Sequence, residues 1–411
     1  MPPTQTFVIV GASLAGAKAA ETLRVEGFDG RVVLIGEEPL RPYERPPLSK
    51  AYLRGEVGFD EAAVHQTDFY ASNDIELRTS TTVTALVPKD SQVTLGSSER
   101  LSYDRLLVAT GASPRRLSVP GAELDGVRYL RSVADADALQ QAIETSAPVV
   151  VIGGGWIGCE VAASARQLGA EVAMVEMAPV PLGRVLGSEL GTVYRDLHAE
   201  HGVKLHFGVG VDSVRGSSAV EEVRLTDGTS LPAGVVVVGV GVVPRVQLAE
   251  AAGLKVDDGV VVDEQLATSQ ADIYAAGDVA NAFHPFYRTH IRLEHWSAAL
   301  NQGPVAAKNM LGEPTVYEKV PYFFSDQYDL GMEYTGFAPK WEEVVFRGDP
   351  ASREFIAFWL HDGRVMAGMN ANVWDVTDTI EALIRADHVV DLARLIDTEV
   401  DLSSLVAPPG G

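Results

Sequence analysis

One pattern occurs twice in this chain and restricts the folds open to it: an apolar strand, a glycine-rich turn, an alanine-rich helix, a second strand, then an acid. The first copy reads FVIVGASLAGAKAAETLR and continues into RVVLIGEE. The second reads APVVVIGGGWIGCEVAASARQLG and continues into AEVAMVEMA. In each, a short β-branched run switches to helical spacing directly after the glycines, as a βαβ unit requires. The expected class is therefore α/β, with two Rossmann-like dinucleotide-binding domains.

The turns carry the chemistry. In Gly11-Ala12-Ser13-Leu14-Ala15-Gly16, the first glycine permits the tight turn and the last lets helix and strand pack closely. Ser13 replaces the usual middle glycine, where a small residue still lets the backbone approach a pyrophosphate. The following helix offers free N–H groups and the positive end of its dipole to phosphates. Glu37 lies about 20 residues past the turn, where a carboxylate accepts bonds from ribose hydroxyls. A glycine-rich turn can also bind nothing, but strand, helix and acid together argue against that here.

The second turn, Gly153-Gly154-Gly155-Trp156-Ile157-Gly158, matches the fingerprint in full, and its acid is Glu176. A carboxylate there favours a free 2′-hydroxyl and repels a 2′-phosphate, which selects NADH over NADPH. No arginine adjoins Glu176; the nearest downstream is Arg184, within reach of a nucleotide. Two such folds in one chain imply that two cofactors meet. A nicotinamide carries hydride, whereas a flavin accepts hydride and releases single electrons.

Length and charge narrow the classes further. At 411 residues the chain is too long for one ordinary core, so two or three domains are expected. A formal charge of −23 disfavours nucleic acid as a partner, because phosphate backbones are met by clustered Lys and Arg. The longest uncharged apolar stretch, Leu231–Pro244, is shorter than the roughly 20 residues of a membrane-spanning helix. No basic group precedes the first apolar run, so a cytoplasmic protein is expected. The single cysteine, Cys159, excludes an intrachain disulfide and a CxxC redox pair, and its helical setting reads as a buried structural residue. His201, His206, His290 and His295 lack metal-ligand spacing, so no metal is expected.

Along the chain, Thr81–Thr94 and Leu101–Thr110 read as strands with turn chemistry at Gly96 and Gly111. The run Val235–Val243 stops at Pro244, and DIYAAGDVANAF gives a strand followed by Gly277 and Asp278. From about Pro321 the texture turns aromatic, with strand-like runs around Gly331, Gly348 and Gly363 and a helical tail over Thr377–Asp397. This predicts a separate α+β domain, with the closing APPGG frayed.

Several further segments, in order, extend the pattern: YERPPLSKAYL, LLVATGASPR, PLGRVLG, GVGVVPR, DIYAAGDVA, LEHWSAALNQG and FFSDQYDLGMEYTG. Together with the two glycine turns they resemble the NADH-dependent ferredoxin reductases of bacterial oxygenase systems, within the glutathione-reductase-like flavoproteins. The resemblance spans essentially the whole chain. It implies an FAD domain of residues 1–113 and 243–320, an NAD domain of 114–242 and a C-terminal domain of 321–411. By motif it implies FAD contacts at Ala15, Glu37, Arg45, Lys50, Val83, Ala109, Thr110, Gly111, Arg131, Gly277, Asp278 and Trp296, beside Gly11, Ser13, Leu14 and Gly16 of the turn. It implies NAD contacts at Gly153, Gly155, Trp156, Ile157, Gly158, Glu160, Glu176, Arg184 and Gly241.

Lys50 and Glu160 stand where similar flavoproteins place a lysine and glutamate near the flavin and nicotinamide rings, as the chemically active pair. A cation there stabilises negative charge on reduced flavin, and a partnered glutamate keeps it oriented. Relatives place an aromatic in the FFSDQ-like segment, which makes Phe324 a candidate to face the flavin. The resemblance implies electron transfer from NADH through FAD to a small [2Fe–2S] ferredoxin that feeds a cytochrome P450 or a Rieske-type oxygenase. Arg288 and Arg292 are candidate contributors to its docking. Disulfide- and peroxide-reducing relatives carry a redox cysteine in the stretch that here reads RPYERPPLSK, which has none. Transfer to rubredoxin, or a redox-sensing role like that of the apoptosis-inducing flavoproteins, remain the alternatives.

Overall fold

The computed structural model describes residues 5–145 and 147–407; the first four residues of MPPTQTF and, from Pro408 on, the APPGG end expected to fray lie outside the described residues. The chain divides into two compact units. One comprises the residues up to Pro46, Gly58–Ser113 and Val242–Lys319; the other comprises Pro47–Val57, Pro114–Gly241 and the residues from Val320 on.

The first unit is built on a five-stranded parallel sheet in the order Ile273–Ala275, Arg105–Val108, Thr6–Val10, Arg31–Ile35, Ile75–Arg78. Its central strands carry apolar runs because both their faces are covered; Val8 and Ile9 are fully buried. The motif strand sits at the centre, so its glycine turn opens at the carboxyl edge, where parallel sheets bind ligands. The helices Leu14–Val25 and Trp296–Met310 pack closely, because a Cβ on Gly303 would stand 2.4 Å from the Ala15 carbonyl oxygen.

The second unit repeats that plan: Lys204–Phe207, Val172–Glu176, Val149–Ile152, Val235–Val238 and Val127–Arg128 form a parallel sheet in that order. The repeat reaches beyond the βαβ unit seen in the sequence. Each parallel sheet is accompanied by a three-stranded antiparallel sheet. In the first unit it is Val83–Val87, Gln92–Leu95 and Arg100–Ser102; in the second, Val211–Arg215, Glu222–Leu225 and Ser230–Pro232. The chain then returns beside its motif strand, as Arg105–Val108 or Val235–Val238.

The segment expected as a separate C-terminal domain belongs to this same second unit. It holds a five-stranded antiparallel sheet in the order Tyr322–Gln327, Leu330–Gly336, Arg364–Ala371, Glu354–His361, Glu343–Asp349. Pro47–Val57, expected in the FAD domain, also joins the second unit. Tyr52 Oη donates to Asp137 at 2.9 Å, and the Ser164 hydroxyl donates to the Ser49 carbonyl at 2.7 Å.

Three local expectations need correction. Thr81–Thr94 is two strands, because Pro88 has no N–H for a ladder and a short 3-10 turn, Pro88–Asp90, leads to Ser91 at φ +48°. Leu101–Thr110 is likewise two strands, Arg100–Ser102 and Arg105–Val108. The tail is not one helix: Thr377–Ala386 stops at Asp387, whose φ of +46° is left-handed, and a second helix, Leu392–Ile396, starts at the cap Asp391. Among the described residues, no helix is long and apolar enough to cross a membrane.

Candidate functional site

In the first unit the glycine turn is locked by backbone contacts that no side chain would permit. A Cβ on Gly11, at φ +121°, would lie 2.0 Å from the Ala109 carbonyl oxygen, and one on Gly16 would lie 2.0 Å from the Gly11 carbonyl oxygen. Ser13 occupies the N-cap of the helix with no capping bond from its side chain. The first intrahelical bond runs from the Ala17 N–H to the Ser13 oxygen at 2.9 Å. The N–H groups before it are free for an anion. Gly277, at φ +77°, approaches Ala15, and its N–H donates to Gln302 Oε1 at 2.8 Å. This brings Asp278 to the turn. Asp278 also acts electrostatically on Arg45 and His295, the residue before Trp296. Burial pushes the His295 imidazole down to about 4, against the raising effect of Asp278.

Glu37 follows the second strand and meets a residue that the sequence did not single out. Arg245 grips it with both guanidinium ends, one bond being 2.8 Å. The hydrogen bond from Arg245, ahead of the opposing effect of burial, holds the Glu37 carboxyl below its usual range. Arg245 is itself tied to the predicted Thr110 and Gly111: its carbonyl accepts from Thr110 Oγ1 at 2.8 Å, and its N–H donates to the Gly111 oxygen at 2.9 Å. Arg45 pairs with Glu38 at 3.1 Å, and Glu38 also accepts from the buried Tyr43 hydroxyl. The only sequence signal for Arg245 was its place in GVGVVPR. Val83 opens its strand and packs against the core of this unit.

The second unit repeats the cradle with the full fingerprint. Cβ atoms on Gly153 and Gly158 would meet the Gly239 and Gly153 carbonyl oxygens at 2.4 and 2.0 Å. Gly155 and Ile157 at the helix start are exposed, so the turn is open where phosphates would approach. Glu176 uses both carboxylate oxygens on the loop, accepting from the Gly154 N–H at 2.7 Å and the Ala178 N–H at 2.8 Å. Each oxygen keeps a lone pair for a ribose hydroxyl. Trp156 opens the helix with its ring edge-on to Tyr194 and Phe323, at centroid distances of 6.0 and 5.0 Å. Arg184 is exposed in the helix Gly183–Glu200, and Gly241 lies at the break after Val238. Arg131 precedes the helix Val133–Glu144, its N–H donating to Asp135 at 3.1 Å. Cys159 is buried; its thiol donates to the Gly154 oxygen at 3.6 Å, and burial pushes it well above its usual range.

Lys50 and Glu160 meet inside the second unit. Their ion pair is 2.9 Å long, with side chains 11% and 4% exposed. Ser49 Oγ donates to Glu160 Oε2 at 2.5 Å, and Ser325 Oγ donates to Oε1 at 2.7 Å. Lys50 Nζ also lies 5.5 Å from the centre of the Phe324 ring, a cation–π contact. A buried pair contributes little net stability. Among the described residues, no group of three or more His, Cys, Asp or Glu could hold a metal ion.

The cradles fit two dinucleotides. Each has glycines a Cβ would disrupt, a helix N-terminus whose first N–H groups lie ahead of the intrahelical ladder, and a carboxylate past the second strand. Comparison with known proteins agrees with that build. The chain belongs to the pyridine nucleotide-disulphide oxidoreductase family, which matches residues 5–303; residues 322–406 match the reductase C-terminal family. It is 38% identical to the ferredoxin–NAD(+) reductase component of the anthranilate 1,2-dioxygenase system of Burkholderia cepacia, over 97% of this chain and 99% of that one. It is 36% identical to a rubredoxin–NAD(+) reductase of Ectopseudomonas oleovorans, over 82% and 88%. The structure superposes with a TM-score of 0.94 and 35% identity on putidaredoxin reductase in its covalent complex with putidaredoxin, covering 98% of each chain. The disulphide in the family's name has no counterpart here, since Cys159 is the sole cysteine.

Proposed function

We propose that this chain is a cytoplasmic NADH:ferredoxin oxidoreductase, holding FAD on the Gly11–Gly16 turn and NADH on the Gly153–Gly158 turn. When bound, the two cofactors supply a hydride donor and a hydride acceptor that releases electrons one at a time. The acceptor is a [2Fe–2S] ferredoxin that serves a cytochrome P450 or Rieske-type oxygenase. The observation that carries this reading is the duplicated cradle, since two dinucleotide folds in one chain have little use unless their ligands react together.

The protein's own share is binding and electrostatics. The Gly11 and Gly153 turns bring backbone N–H groups to each pyrophosphate, while Glu37 and Glu176 accept ribose hydroxyls. Arg45, Asp278 and Trp296 complete the flavin side, with Thr110 and Gly111 held in place by Arg245. Lys50 supplies the positive charge that stabilises reduced flavin, and Glu160 fixes its position.

Two predictions follow from the acids. Glu176→Ala frees the Gly154 and Ala178 N–H groups and removes the ribose acceptor. The NADH concentration for half-saturation should rise about tenfold, a loss of about 1.4 kcal/mol, while discrimination against NADPH weakens. Steady-state kinetics with both nucleotides checks this. Glu37 titrates below the usual carboxylate range, so its contribution to flavin retention is complete above that range and is lost as pH falls from that range through its own lowered value. Half-exposed as it is, the Glu37–Arg245 pair adds at most about 1 kcal/mol. Glu37→Gln should therefore flatten the acid limb of flavin release measured by ultrafiltration.

The duplication and the Cys-free stretch before Lys50 also bear on the rivals. The missing cysteine disfavours an NADH oxidase or peroxidase. The rubredoxin relative aligns over less of this chain than the ferredoxin reductase component does. Arg292 is paired with Asp258 at 3.2 Å and with Glu294, so it is a weaker docking candidate than Arg288. Mixing the NADH-reduced protein with a panel of iron–sulfur proteins and following cytochrome c reduction tests the reading. Fast transfer to [2Fe–2S] ferredoxins and slow transfer to rubredoxin is expected; the reverse order would replace it with the rubredoxin assignment. Slow turnover with long-lived NAD charge-transfer absorbance would favour a sensing role.

A further inference from the structure

Neither cradle accounts for a line of polar side chains buried in the second unit. It begins at Glu160 and leads away from Lys50 through Ser325, Gln327 and His198, which are 1%, 1% and 0% exposed. Gln327 Nε2 donates to Ser325 Oγ at 3.3 Å, and Gln327 Oε1 lies 3.0 Å from His198 Nε2. On the far side, Tyr328 Oη lies 3.3 Å from His198 Nδ1, and the Tyr328 ring stacks on His201 at 3.6 Å.

The donors in this line all point one way. Ser325 gives its hydrogen to Glu160, so its oxygen can only accept from Gln327. That fixes the amide with its oxygen toward His198, which must then carry its hydrogen on Nε2. His198 Nδ1 is left as an acceptor, filled by the Tyr328 hydroxyl. Burial holds the His198 imidazole down at about 4, so it stays neutral in this tautomer. A head-to-tail chain of this kind polarises toward its end, here the Glu160 carboxylate that meets Lys50. Tyr328 stands at φ +57° in a hairpin turn, a left-handed conformation that strains a bulky residue. That strain places its ring and hydroxyl against the two histidines.

We propose that His198 and Gln327 are positioning residues for the Lys50–Glu160 pair, acting through Ser325 to hold Glu160 Oε1 where Lys50 Nζ meets it. This rests on the role given above to Lys50 and Glu160. It adds residues from the helix Gly183–Glu200 and the C-terminal sheet to the support of that pair. A purely structural tie between that helix and that sheet would share the same bonds, so the test must separate the two.

His198→Phe and Gln327→Leu are compared with His198→Gln, which can return a donor at the Nε2 position. They are made in the parent and in Lys50→Met, all as FAD-loaded protein. The readouts are the limiting rate of flavin reduction in stopped flow, the NADH concentration for half-saturation, and the midpoint potential of the bound flavin without nucleotide. His198→Phe and Gln327→Leu should slow the limiting rate about five- to tenfold and lower the potential, with half-saturation unchanged and His198→Gln close to the parent. In Lys50→Met neither change should slow the reaction further. Parental rates and potentials in both variants, beside a slow Lys50→Met, would overturn the proposal while leaving the role of the pair intact. An equal further slowing in Lys50→Met would also overturn it, marking the line as structural. A parental rate in Lys50→Met itself would remove the role of the pair, and the proposal with it. Gln327→Leu carries the test if His198→Phe does not fold.

Discussion

Lys50→Met is expected to cut the limiting rate of flavin reduction by NADH about 10²-fold while the purified protein stays yellow. The ammonium is the one charge of the buried pair that can face electron density building on a neighbouring ring, and methionine keeps its volume without that charge. The substitution leaves the Glu160 carboxylate buried without its cation, which in general costs about 3–5 kcal/mol. Here the Ser49 and Ser325 hydroxyls still donate to it, so the loss should fall at or below the lower end. Stopped-flow absorbance with saturating NADH reads the rate, and the flavin-to-protein ratio reads retention. A parental rate would remove Lys50 from the chemistry.

Gly158→Ala is expected to separate the two cofactors. Its Cβ would stand 2.0 Å from the carbonyl oxygen of Gly153, a backbone atom that cannot rotate away. The helix Trp156–Gln167 must therefore lift from the strand Val149–Ile152, taking its free N–H groups off the pyrophosphate. We expect stability to fall by about 2–4 kcal/mol and half-saturation by NADH to rise more than about 30-fold. Flavin should be retained and still be reduced by dithionite. The mirror change, Gly16→Ala, meets the Gly11 carbonyl oxygen at the same 2.0 Å and should lose flavin instead. If Gly158→Ala released flavin and left NADH binding intact, the cofactors would be assigned the wrong way round.

The parts of this protein that were legible in the sequence are those dictated by short-range geometry. Gly11, Gly16, Gly153 and Gly158 are readable because backbone passes backbone there and only a missing Cβ permits it. Glu37 and Glu176 are readable because the crossover helix fixes their distance from the turn. The extended repeat was hidden, since three-stranded antiparallel sheets such as Val83–Ser102 and Val211–Pro232 share no motif, only a topology. The broken tail was hidden because a left-handed aspartate, Asp387, ends the helix where glycine would have announced the stop.

Long-range partners were the least visible. Arg245 reaches Glu37 across 208 positions, Ser325 reaches Glu160 across 165, and Gln327 reaches His198 across 129. No local pattern encodes such pairings. Placing Pro47–Val57 with the residues around Glu160 likewise depends on tertiary bonds to Asp137, Glu160 and Ser164. Lys50 and Glu160 could be named together only through resemblance, whereas their contact and burial are properties of the fold.

The most direct test is an anaerobic titration of the purified protein with NADH, followed by addition of an oxidised [2Fe–2S] ferredoxin. The account predicts bleaching of the flavin band by one equivalent of NADH, then its return as two equivalents of ferredoxin are reduced. A protein that carries no flavin after reconstitution, or whose bound flavin is untouched by NADH, would contradict it.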